Sequence, residues 1–136
     1  MNRRGFSLTE ILVTGALFGL LIVITTLLLS MERARTRDAE RLTDMTRLSS
    51  GFALLYAEKA SYADAAVGCP KVGGNASACT LTDVLPGLDG LKDPGRFGYT
   101  VSQVPDRDNF GIRFRLERRH GDLAAGAHTL TKNGIR

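Results

Sequence analysis

The sequence predicts an α+β chain: a long N-terminal helix, membrane-spanning in its first half, packed against a small antiparallel β-sheet. Three observations lead there. Residues 11–31 hold no charge and no proline, roughly 21 residues, just enough to cross a bilayer as a helix. Behind that run, Leu42, Met45, Leu48, Phe52, Leu55 and Tyr56 recur at helical spacing among charges of both signs. Farther on, residues 99–104 and 112–117 alternate apolar with polar, as half-buried strands do.

The first half of the helix is apolar on every side. A carboxylate, Glu10, stands at its start, and a lone acid entering lipid is costly unless it finds a partner. Gly15 and Gly19 stand four residues apart and would let another helix approach closely, although glycine is also simply tolerated in membrane helices. Arg3 and Arg4 belong on the cytoplasmic side. A conventional secretory signal is disfavoured, because Glu10 interrupts the approach to the apolar core. No small-x-small cleavage site follows it either; the chain runs on as Ser30-Met31-Glu32-Arg33.

Residues 31–62 continue the helix without a proline. Glu32, Arg33, Arg35, Arg37, Asp38, Glu40, Arg41, Asp44 and Arg47 read as a solvated face laced with ion pairs. The apolar stripe reads as a core face; the stretch is short for a coiled coil. One continuous helix over residues 6–62 would be about 85 Å long.

Residues 63–136 form a small head. Its first part is punctuated by glycine and proline. Cys69 and Cys79, an even pair at short separation, read as a disulfide if the chain leaves the cytoplasm. Thr80 is a candidate N-cap for a helical turn over residues 80–85. Residues 105–109 supply a turn between the two strands. On the second strand Ile112, Phe114 and Leu116 face the helix, and Arg113, Arg115 and Glu117 face away. Residues 127–131 suggest a third strand, followed by a tail at Gly134.

Composition excludes several functions. The formal charge is +4, too small to argue nucleic-acid binding from bulk charge. There is no tryptophan. No catalytic constellation appears: no Ser-His-Asp set and no phosphate-binding glycine loop. The expectation is a non-enzyme without metal or cofactor. Asp106-x-Asp108-Asn109 has oxygen ligands at a spacing calcium uses, yet lacks the later bidentate glutamate, so a plain polar turn is preferred. Arg113, Arg115, Arg118, Arg119 and Arg96 read as a solvated basic face before they read as a DNA site. Asn75-Ala76-Ser77 fits a glycosylation acceptor pattern that is often unused.

Gly5-Phe6-Ser7-Leu8-Thr9-Glu10, followed by the long apolar helix, resembles the class III leader of type IV pilins and pseudopilins. The motif covers about the first 30 residues; beyond them the likeness lies in the order of elements. The resemblance implies a leader over residues 1–5, cleavage between Gly5 and Phe6 by a prepilin peptidase, and N-methylation of Phe6. It implies that Glu10 pairs with the Phe6 amine of a neighbouring subunit. It further implies a filament core over residues 6–30, with Gly15 and Gly19 in helix packing. The chain would wait as a single-pass protein of the cytoplasmic membrane, among lipid, and then self-associate through pilus or secretion machinery into a surface filament. One departure stands out: where many pilins have a proline midway along the helix, this chain has Leu27, and its first proline is Pro70. The rival readings are a pseudopilin of a type II secretion or competence system, and a membrane-anchored binding domain that never polymerises.

Overall fold

The computed structural model describes residues 7–81 and 83–136. Gly5 and Phe6, the expected cleavage junction, lie outside the described residues, as does Thr82. The chain divides into two compact units, Met1–Ala34 and Arg35–Arg136.

One helix, α1 (Leu8–Lys59), runs through the sequence without proline or interruption. It starts where the Ser7 carbonyl accepts the N–H groups of Glu10 and Ile11 at 3.0 and 3.2 Å. It ends at Lys59, three residues before the expected end, and Ala60 follows. There the backbone turns to φ 50°, the left-handed region that disfavours a further helical turn. Within the first unit, Thr14, Thr25, Thr26 and Ser30 bond back to carbonyls of the preceding turn. Their hydroxyls therefore add no unsatisfied polar group to the apolar surface. By length and composition α1 is able to cross a membrane.

The second unit holds the sheet. Strands β1 (Thr100–Gln103), β2 (Gly111–Leu116), β3 (Gly126–Thr131) and β4 (Gly134–Ile135) lie in the order β1-β2-β3-β4, all antiparallel. Val101 pairs with Ile112, and Ile112 in turn with Leu130. The inward side chains of these strands and the stripe of α1 form one core. Met45, Leu48, Phe52 and Leu55 are buried with Val101, Phe110, Ile112, Phe114, Leu116 and Leu130. Phe52 stacks on Phe110 at 3.9 Å between ring centroids, and Tyr62 meets both rings edge-on. Leu42 is half-buried, whereas Tyr56 stays 40% exposed at the margin of the stripe.

Three local expectations are corrected. The tail at Gly134 is a fourth strand: Lys132 and Asn133 form a two-residue turn, and Ile135 returns to pair with Leu130. Gly134 takes φ 102° there. The turn expected after Thr80 closes on Leu81 instead: the Leu81 carbonyl accepts from Val84 and Leu85 at 3.1 and 2.7 Å, while the Thr80 N–H donates to the Ala65 carbonyl. Glu117 does not continue the outward face of β2. The strand ends at Leu116, and Glu117 turns back toward α1.

The disulfide between Cys69 and Cys79 is present, with both residues buried. A closed loop of this size contributes on the order of 3 kcal/mol through the unfolded chain. Its two arms approach so closely beside the bridge that a Cβ on Gly68 would lie 1.7 Å from the Ala78 carbonyl oxygen. Only glycine fits.

Phe52 is the centre of this core, fully buried and in contact with two rings. Phe52→Ala is expected to lower stability by about 3–5 kcal/mol, measured by thermal unfolding of the full chain in detergent. A loss below about 1 kcal/mol would contradict the packing described.

Candidate functional site

Two places concentrate the chemistry of this chain. The first is the exposed face of α1 headed by Glu10. The second is a buried charge cluster in the second unit.

On α1, every described residue from Ser7 to Arg33 is exposed. Ile11, Leu12, Phe18 and Leu21 are each more than 60% accessible. This is far more contiguous apolar surface than a monomeric soluble protein shows to water. Gly15 and Gly19 have open space where a Cβ would stand. They floor a shallow apolar groove walled by Ile11, Thr14, Phe18 and Ile22, with Glu10 at its end. Among the described residues nothing meets the Glu10 carboxylate. Ser7 and Glu10 have the spacing of a capping box, but the Ser7 hydroxyl pairs with that of Thr9 at 2.8 Å. The structure thus brings Glu10, Gly15 and Gly19 to one groove.

The second place corrects the reading of residues 32–47 as a uniformly solvated face. Asp38 and Arg41 are buried, at 1% and 0% exposure. The Arg41 guanidinium donates Nε and Nη2 to the two oxygens of Asp93 at 2.7 and 3.0 Å. Its Nη1 serves Asp38 at 2.7 Å and Glu117 at 2.9 Å. Arg37 holds Glu117 through a second fork. Asp38 also accepts the backbone N–H groups of Glu117 and Arg118, at 2.9 and 2.8 Å. Gly95 closes the cluster: its N–H donates to Asp93 at 2.7 Å, and a Cβ there would lie 2.6 Å from Arg41 Nη2. Beside the cluster, Tyr99 donates its hydroxyl to Asp44 at 2.8 Å.

The electrostatics follow from this geometry. Hydrogen bonds from Arg37, then from Arg41, pull the Glu117 carboxyl down to about 2 against the cost of partial burial. Burial pushes Asp93 up, but the bonds from Arg41 and the Gly95 N–H outweigh it and hold the acid below its ordinary range. The Asp93 pair in turn raises Arg41 and keeps it charged. Burial, then the Asp44 hydrogen bond, pushes the Tyr99 phenol up. The bonds of the cluster tie α1 to residues far along the chain. They fasten the helix to the end of β2 and to the 91–97 loop.

The other sequence candidates separate. Arg113 and Arg115 are exposed on the outer face of β2, and Arg115 lies over the Phe97 ring at 5.1 Å. Arg118 is half-buried where Asp38 fixes its backbone, and Arg119 bonds the Gly121 carbonyl. Asp106 Oδ1 accepts the N–H groups of Asp108 and Asn109 at 2.8 and 2.7 Å, which lowers its pKa. That carboxylate caps its own turn. Among the described residues no group of three His, Cys, Asp or Glu is placed to hold a metal ion. Asn75 Oδ1 likewise caps a short turn through the Ser77 N–H.

Two outcomes follow for the cluster. Arg41→Ala leaves three carboxylates facing one another and is expected to cost about 3–5 kcal/mol in thermal unfolding; a neutral result would contradict the network. The Glu117 pKa is depressed in the folded state, from an ordinary 4.5 to about 2, so its stabilisation is complete above pH 4.5 and is lost as the pH falls toward 2. The melting temperature should drop across that window, and Glu117→Gln should flatten the drop.

No protein-family model, curated protein or solved structure matches the chain.

Proposed function

We propose that this chain is the structural subunit of a type IV pilus or a related filament, processed by a prepilin peptidase and polymerised through α1. The reading starts from the Gly5–Glu10 motif. One structural observation supports it further: the apolar surface of α1 over residues 11–31 is exposed and has a glycine-floored groove ending on Glu10, a carboxylate that nothing meets among the described residues. Such a surface needs cover from outside the chain. Lipid supplies it while the subunit waits in the membrane, and other copies of α1 supply it after assembly.

In this reading Glu10 reports register. Burying a carboxylate among helices costs several kcal/mol unless a cation meets it. Cleavage after Gly5 creates that cation, the Phe6 ammonium. Only a neighbour at the correct axial stagger brings its ammonium to Glu10, so misplaced subunits keep an unpaired charge. The protein performs no catalysis. A pseudopilin of a secretion or competence apparatus shares these features and differs in where its filament ends.

Mass spectrometry of the mature chain should find it starting at an N-methylated Phe6. An intact leader would remove the basis of the reading. Glu10→Ala should still be processed and inserted, yet yield at least tenfold fewer sheared filaments by immunoblot. Normal filament yield from that variant would refute the role assigned to Glu10.

A further inference from the structure

The outer edge of β1 is covered by the disulfide loop. The Val101 N–H donates to the Gly74 carbonyl at 2.8 Å, and the Val101 carbonyl accepts from Gly73 at 2.7 Å. The Tyr99 carbonyl accepts from Ala76 at 3.0 Å, and Asn75 bridges antiparallel to Thr100. These are the outward-pointing backbone groups of an antiparallel edge. Besides these bonds and the bridge, residues 76–78 lie against residues 88–90. Between the cysteines only Ala76 is buried; Pro70, Lys71, Val72 and Gly73 are exposed. The edge beneath is short and its register shifts between Val101 and Gln103, which blunts it in part. Thr100–Gln103 carries no charge and no proline, two further devices by which exposed edges avoid pairing with other chains.

We propose that the Cys69–Cys79 loop is an oxidation-dependent guard on the β1 edge, and that the reduced chain pairs through this edge with β1 of a second copy. A second copy is the fitting occupant because an antiparallel β1–β1 pair is self-complementary. Each Val101 offers one N–H and one carbonyl, and the uncharged Thr-Val-Ser-Gln segments bring no repulsion. Closing the guard is a thiol–disulfide exchange. The two thiols give up two protons and two electrons to a disulfide-carrying oxidant, which leaves as the dithiol. Reduction by an added dithiol runs the same balance in reverse. This inference concerns the head and stands whether or not α1 builds a filament.

The test is hydrogen exchange on the full chain in detergent micelles, oxidised and reduced with dithiothreitol. The Cys69→Ala/Cys79→Ala variant serves as a second reduced form, independent of reductant access. In dilute reduced samples the amides of Gly73, Ala76 and Val101 should exchange at least tenfold faster, while those of Ile112 and Phe114 stay protected. Raising the concentration of the reduced chain should restore protection at Val101 and add dimers by light scattering that the oxidised chain lacks. Equal protection of Val101 in both forms would overturn the guard, as would loss of protection throughout β2. Opening of Val101 without concentration dependence would overturn the second copy as its partner.

Discussion

A helix has only one surface, and in this chain that surface must serve two solvents. From Ile11 to Met31 the side chains of α1 are apolar or self-satisfied and exposed. From Asp38 to Leu55 the same helix presents a stripe that is buried in a protein core. No break in the backbone separates the two regimes. The sequence alone changes the environment the helix demands. The first stretch therefore has no stable resting place in water, and the second has none without the sheet.

The buried Arg41 cluster is how the second demand is met at its polar end. Hydrophobic contact alone would let a sheet slide along a helix, because apolar burial is non-directional. The guanidinium is directional: a fork to Asp93 and single bonds to Asp38 and Glu117 fix helix, loop and strand end together. Asp38 adds two backbone donors from residues 117 and 118, which the end of β2 leaves without strand partners. Breaking such a set costs more than its formation gains, since each remaining group stays buried and unpaired. Specific placement is the better-supported benefit.

Much of this was legible in the residues. The apolar run and stripe gave the helix, because both periods are long and uninterrupted. The alternation around Val101 and Ile112 gave the hairpin, and the even cysteine pair gave the disulfide. The Arg41 cluster was missed, although a signal existed. Asp38 and Arg41 fall on the same helical row as Met45, Leu48 and Phe52, so two charges lay on the face that had to be buried. Asp93 and Glu117 are distant in sequence and carry no local mark. β4 was missed because it is only Gly134–Ile135, too short for an alternating pattern to show. The cover on the β1 edge had no sequence signature, since loop backbone rather than side chains makes it.

The central claim is that the exposed face of α1 is covered by other copies of the chain rather than by lipid alone. Photo-cross-linking in cells from a benzophenone side chain placed at Ile22, on the wall of the glycine groove, measures this directly. The account predicts adducts between copies, seen as a ladder of multimers that disappears when the prepilin peptidase is removed. Adducts to lipid only, with the chain remaining monomeric under full expression, would contradict it.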